Sequence, residues 1–350
     1  MGWLRRGRAA AAALLLPLAA GAADRVLMLA APDATTTPAV VERAVQAWAA
    51  RQAGSIELVV REVPADPLGL SDGRRQPLPL QGPKRVIFAT TMAVARAAQL
   101  QEPGTAIVFE GSADPLMMCL VDSLAQPGRN ATGYTSALPD SAKMLDTLVD
   151  GFPSLRQVIH LVSADNLHPA DCSGAAAPLP PCRSGLHEPD AHLERLQPTA
   201  PVREQARRRG VDLRFLLICE ARDLALINAL AARPDVGFIV PLHYLFYARG
   251  RALVNRIAAT RRPAVYGALM FSRLGGLLAV ETLVDEVDDR AAVDLLLKVL
   301  DGRAPAELPV LMPRGFGITV NAWAAAAQGL HPSLALLRRA DQIIVQPPRR

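Results

Sequence analysis

Lysine is scarce in this chain. Lys84, Lys143 and Lys298 are the only three, so arginine carries nearly all of the net charge of +5. The densest basic runs are Arg207-Arg208-Arg209 and Arg261-Arg262, and aromatic residues, only 4% of the sequence, are interleaved with neither. A nucleic-acid platform sets cations and stacking rings side by side, so no nucleic-acid partner is expected. Catalytic signatures are missing too. There is no GxSxG, HExxH, P-loop or GxGxxG, and no histidine stands in a recognisable pattern with a nucleophile. Neither an enzyme activity nor a resident cofactor is expected. Beyond the first twenty-odd residues no apolar run approaches the ~20 residues that cross a bilayer.

What is present begins with an export signal. Arg5, Arg6 and Arg8 form a basic start, Ala9–Leu18 an apolar stretch and Ala20-Gly21-Ala22 a small-residue cleavage pattern. This predicts a cleaved leader over 1–23 and a soluble periplasmic protein. No cysteine lies near the cleavage point, which argues against a bacterial lipid anchor.

The mature chain is long enough for two domains, and its pattern alternates strand and helix twice. Apolar runs at Arg25–Ala30, Ile56–Val60, Arg85–Ala89, Thr105–Phe109 and Ala131–Tyr134 read as strands. Val41, Ala44, Val45 and Trp48 recur at helical spacing between the first two. A second series follows, with strands at Gln157–Val162, Leu213–Cys219, Val236–Val240 and Ala264–Tyr266, then a helix at Val284–Leu300 and a last strand at Gly317–Val320. The fold class is therefore α/β, with two doubly wound, Rossmann-like lobes. Residues 165–200, rich in Pro, Gly and Ala, read as a surface insertion.

The stretch Gly104–Ser136 organises the first lobe. It reads as a buried strand, a small-residue loop ending in Asp114-Pro115, a helix at Leu116–Leu124 and a second strand. Open α/β sheets bind ligands outside the carboxyl ends of their strands, where helix-start N–H groups are free. Thr90 and Thr91, which open a helix after the third strand, belong to the same edge. They read either as helix caps or as donors to a ligand carboxylate. Asp114 reads as a cap or as the partner of an ammonium group. In the second series His243, Tyr244 and Tyr247 follow one strand and Tyr266 ends the next, as sheet-edge packing or as cleft walls.

Four cysteines remain. Cys172 and Cys182 lie ten positions apart in the insertion of an exported chain and are expected to pair. A metal site built from His168, Cys172, Cys182 and His187 is the alternative, although its spacing fits no standard zinc module. Cys119 and Cys219, on an expected helix face and strand, read as buried thiols.

The run IVFEGSADPLMMCLVDSLAQPGRNATGYTS resembles a signature of substrate-binding proteins of ABC transporters, in the group that includes binders of tryptophan and related aromatic amino acids. RRPAVYGALMFSRLGGLLAV and the closing blocks at Gly302–Val320 and Leu337–Val345 are similar to later segments of that family. The resemblance implies a type I periplasmic-binding fold with a hinge of three crossovers, at Tyr134–Ala137, Phe271–Ala279 and Val310–Gly317. One lobe would comprise 24–135 with 272–305, the other 136–271 with 306–346. It also implies ligand contacts at Thr90, Thr91, Met92, Asp114, Ser136, His243, Tyr244, Tyr266 and Gly267. The chain departs from the family pattern at Ala89-Thr90-Thr91-Met92, at Ala279-Val280-Glu281 and in its Cys-containing insertion. The implied function is capture of a small, amino-acid-like ligand by a monomer and its delivery to an inner-membrane ABC permease. An accessory of a sensor kinase or outer-membrane receptor is the second reading, and a metal chaperone acting through the insertion the third.

Overall fold

The computed structural model describes residues 24–32, 36–52, 54–70, 74–136, 140–164, 172, 182–282, 288–313 and 315–347. The expected leader, His168 and most of 165–181 lie outside the described residues.

The first β-α series forms β1 (Asp24–Ala30), α1 (Pro38–Arg51), β2 (Ile56–Glu62), β3 (Val86–Ala89), α2 (Met92–Gln101), β4 (Ala106–Gly111) and β5 (Ala131–Thr135). These strands make a parallel sheet in the order β2-β1-β3-β4-β5. The second series forms α3 (Asp140–Gly151), β6 (Gln157–Ser163), β7 (Gly185–His187), α4 (Ala191–Leu196), α5 (Ala200–Arg209) and β8 (Asp212–Ile218). It continues with α6 (Leu226–Leu230), β9 (Val236–Val240), α7 (Tyr244–Ala248), α8 (Gly250–Thr260), β10 (Ala264–Tyr266), α9 (Leu269–Arg273) and β11 (Leu278–Thr282). After α10 (Asp288–Leu300) come β12 (Phe316–Asn321), α11 (Ala322–Gln328), α12 (Leu334–Arg339) and β13 (Gln342–Ile344). The second sheet runs β13-β12-β11-β10-β9-β6-β8-β7, with β12 antiparallel to β11 and β7 antiparallel to β8.

Strands buried on both faces read as continuous apolar runs. Val86–Ala89 and Val236–Val240 are buried along their whole length for that reason. In the first sheet α1 and α10 cover one face, through Val41, Val45, Trp48, Leu295 and Leu296. The helix α2 covers the other through Val94 and Ala95. In the second, α3 brings Met144, Leu145 and Leu148 onto one face, and α6 and α8 bring Ile227, Leu253 and Ile257 onto the other. Arg209 and Arg339 both pair with Asp150, tying α5 and α12 to the end of α3.

The chain crosses between sheets three times, after β5, between β11 and α10, and after α10. The third crossing lies along β5: Leu311 donates to the Gly133 carbonyl at 2.9 Å and accepts from the Thr135 N–H at 3.0 Å. Gly133 has no room for a side chain, since a Cβ would stand 2.1 Å from the carbonyl oxygen of Phe109 on β4.

Three expectations are corrected. The segment Leu116–Leu124 is a run of turns, not a helix. The Asp114 carboxylate accepts from the Leu116 N–H at 2.8 Å, and Cys119 takes a positive φ of 57°, so the chain folds back before a helix can propagate. The strand β11, assigned from the sequence to the first lobe within 272–305, pairs with β10 and β12 in the second sheet. The first lobe regains the chain only at α10.

The cysteines are the third correction. Cys172 pairs with Cys119 and Cys182 with Cys219, with Cα–Cα separations of 5.3 and 5.9 Å, and no described cysteine is free. Proximity in sequence favoured the Cys172–Cys182 pair, but tertiary pairing prevails. Antiparallel pairing of β7 with β8, and a 2.9 Å bond from the Cys219 N–H to Ser184 Oγ, bring Cys182 to the end of β8. The buried Arg96 of α2 donates to the Cys172 carbonyl at 2.7 Å, holding that residue against the first lobe beside Cys119. The metal-site alternative loses its two thiolates to these bonds. Each closes a loop of 53 or 37 residues, worth on the order of 4 kcal/mol in the chain-entropy account.

Two tests follow. Peptide mapping without reductant should return Cys119–Cys172 and Cys182–Cys219; a Cys172–Cys182 peptide would contradict the fold around the insertion. The second concerns His160 of β6, fully buried with Nε2 2.9 Å from Ser141 Oγ on α3. Burial pushes its pKa from 6.5 down to about 4. The unfolded chain therefore takes up this proton first, so the group's contribution to stability is complete above 6.5 and is lost as pH falls toward 4. Its imidazole NMR signals should stay those of the neutral ring at pH 5.5, and a midpoint near the unperturbed value would refute the placement.

Candidate ligand-binding cleft

Because the strands that bound it are parallel, they present their carboxyl ends to one cleft between the sheets, with a volume of about 520 Å³. The first sheet contributes 112–117 after β4 and Thr135-Ser136 at the end of β5. The second contributes Ser141 and Ala142 in the first turn of α3, Gln197 and Pro198 between α4 and α5, Pro241–His243 after β9, Gly267 and Ala268 after β10, and Glu281-Thr282 at the end of β11. Met312 enters from the third crossing. This size is within the range of small-molecule pockets, ~300–1,000 Å³.

The walls are mostly apolar: Pro115, Leu116, Met117, Leu124, Pro201, Val202, Leu242 and Met312 all face the cavity. Two carboxylates stand among them. Asp114 uses Oδ1 to accept from the Leu116 and Met117 N–H groups, at 2.8 and 3.4 Å, which fixes the side chain as the hinge of its turn. Glu281 uses Oε2 to accept from the Leu269 N–H at the start of α9, at 2.8 Å. Each keeps an oxygen with no protein partner among the described residues. No lysine or arginine is among the described lining residues, which set two carboxylates on an apolar surface.

A polar chain runs along the second-lobe wall. His243 Nδ1 accepts from the Ser163 N–H at 3.1 Å. Its proton is therefore on Nε2, which donates to Gln197 Oε1 at 3.1 Å. That bond fixes the orientation of the Gln197 amide, whose Nε2 donates to Ser141 Oγ at 3.3 Å. The His243 ring stacks on Phe246 with centroids 5.5 Å apart. Gly267 permits the 241–243 loop to approach, because a Cβ there would lie 2.9 Å from the Leu242 nitrogen.

Of the residues expected from the sequence, the structure brings Asp114, Ser136, His243 and Gly267 together in the cleft. It gives others structural duties. Thr90 is buried, accepting from the Ala31 N–H at 2.9 Å and donating to the Leu29 carbonyl at 3.2 Å. Thr91 caps α2 by accepting from the Val94 N–H at 3.2 Å. Met92 is packed into the first core. Tyr266 is fully buried on Phe271. Tyr244 opens α7, and its side chain lies outside the described part. Ser141, Gln197 and Glu281 escaped the sequence reading. Glu281 was visible as a departure from the family pattern; Gln197 sits within residues read as an insertion, and Ser141 is an ordinary helix-start serine.

Comparison with protein-family models and with curated protein sequences finds no match. Solved structures do match over nearly the whole chain. A conserved domain protein from Vibrio cholerae is 17% identical, with a TM-score of 0.63, covering 92% of this chain and 99% of that one. An ABC domain in complex with L-Trp from Streptococcus pneumoniae is 14% identical, with a TM-score of 0.62, covering 92% and 100%. A substrate-binding protein with adhesive properties from Clostridium difficile, in its ligand-free, open form, is 15% identical, with a TM-score of 0.59 and the same coverage. At this identity the likeness is one of architecture. Two α/β sheets joined by three crossings, with strand ends facing across a cleft, make this a type I periplasmic-binding fold.

Proposed function

We propose that the chain is an exported solute-binding protein that takes up a small, amino-acid-like molecule through its protonated amine and passes it to an inner-membrane ABC permease. The carrying observation is the cleft itself: an apolar cavity with Asp114 on one lobe and Glu281 on the other, and no described lysine or arginine among its lining residues. An ammonium group about 4 Å from a carboxylate gains roughly 4 kcal/mol at an effective dielectric constant of about 20, and an anion alone finds no matching charge among the described lining residues. The apolar walls suit a hydrocarbon or aromatic body. Contacts from both lobes give a ligand differential affinity for the closed arrangement, which is what closure requires. The L-Trp held by the Streptococcus pneumoniae domain supports a ligand of this size and kind.

Two disulfides accord with an oxidising compartment, as does the expected leader. Among the described residues no helix is long and apolar enough to cross a membrane.

The test is a thermal-shift comparison of phenethylamine, L-phenylalanine and 3-phenylpropionate. The two amines should stabilise the protein, by about 2.7 kcal/mol at a hundredfold excess over Kd, and the acid should not. Asp114→Asn should weaken both amines by about tenfold. Stabilisation by 3-phenylpropionate alone, or by none of the three, would overturn the reading.

A further inference from the structure

We infer that Gln197 is a specificity-determining donor of the cleft, one that reads a carbonyl-type acceptor beside the ligand's amine. The inference rests on the amine-binding reading above and adds the second point of recognition that the carboxylates do not supply.

A primary amide has two N–H donors and one carbonyl acceptor. The Ser163 N–H occupies His243 Nδ1, so Nε2 of that ring is the donor, and it is spent on Gln197 Oε1. The amide therefore cannot flip without setting its NH2 group against the imidazole N–H. One of its two N–H groups is used on Ser141 Oγ. The other has no partner among the described residues, on a side chain that lines the cavity. The supports are stiff. His243 is buried and stacked on Phe246, and Ser141 is buried and held from behind by His160. The Gln197 N–H closes the last turn of α4 on the Leu193 carbonyl at 2.8 Å.

A donor held in a fixed orientation loses little entropy when a ligand accepts from it, which is the condition under which one neutral hydrogen bond discriminates. Its partner is an uncharged carbonyl or a carboxylate oxygen. The uncharged acceptor is favoured, because the described wall holds two carboxylates and no cation to offset an anionic group. The structure thus assigns the cleft to primary amines that carry a neighbouring carbonyl, with amides and esters ahead of free acids.

The experiment compares calorimetric Kd values for phenethylamine, L-phenylalaninamide and L-phenylalanine at about pH 6, below the α-amino range, so that each amine is protonated. Wild type should bind L-phenylalaninamide about 3- to 10-fold more tightly than phenethylamine, the worth of one net hydrogen bond, and more tightly than L-phenylalanine. Gln197→Met, which keeps the side chain's length, should bring the amide-to-amine ratio to about one by weakening L-phenylalaninamide more than phenethylamine. His243→Phe, which keeps the stack on Phe246 but frees the amide to flip, should lower the same ratio part of the way. If all the amines bind and Gln197→Met weakens them alike, or weakens none, the donor assignment is wrong and the amine-binding reading stands. If L-phenylalanine binds more tightly than its amide, the preference for an uncharged acceptor is wrong. If no probe binds, both readings fall together.

Discussion

Parallel strand pairing is the constraint on which the rest of this molecule depends. A parallel sheet sends every strand's carboxyl end to the same edge, and the crossover helices must then cover both faces. In the first sheet that edge delivers the loops after β4 and β5, and in the second the loops after β9, β10 and β11. No single motif makes the site. It arises because two sheets turn their carboxyl edges toward one another, and the three crossings hold them there. The serine–threonine bond between two of these crossings, from Thr282 Oγ1 to the Ser136 carbonyl at 3.2 Å, is part of the cleft floor as well as of the hinge.

A covalent element is added to this arrangement. In the insertion between β6 and β7, Cys172 is bonded to Cys119 of the first lobe, and Cys182 to Cys219 at the end of β8. The lobes are thus joined by a disulfide as well as by the backbone. Cys119 follows the Asp114 turn by five residues, so the bond anchors the same loop that carries one of the cleft's carboxylates. The buried Arg96, which bonds Gln99 Oε1 at 2.5 Å and the Cys172 carbonyl at 2.7 Å, braces that anchor from beneath.

What the sequence made legible was whatever local pattern determines. The apolar runs marked the strands of the first sheet and β6, β8, β9, β10 and β12 of the second, since a strand buried on two faces has few polar alternatives; β7, β11 and β13 were not read as strands. Asp114, Ser136, His243 and Gly267 were recognisable because they directly follow such strands. Thr90 and Thr91 follow one as well, yet their hydroxyls are consumed by backbone bonds to β1 and α2, which no local pattern reveals. Tyr266 was expected as a cleft wall, but at the end of a central strand its ring is drawn into the core with Phe271. The disulfide partners were out of reach for a related reason. Loop entropy favours the nearest pair, and only the β7–β8 pairing and the turn at Cys119 overrule it. Gln197 and Ser141 carry no sequence signal at all, because their significance lies in the direction of a hydrogen-bond chain that begins at Ser163 and passes through His243.

In the proposed binding mode one small ligand is held from both lobes at once, with Asp114 on one side and the wall of Gln197 and His243 on the other. Hydrogen exchange read by mass spectrometry, with and without saturating L-phenylalaninamide, tests it most directly. Peptides covering 112–117 and 241–243 should gain protection together, in one ligand-dependent step. Protection confined to a single lobe, or appearing only away from both loops, would contradict it.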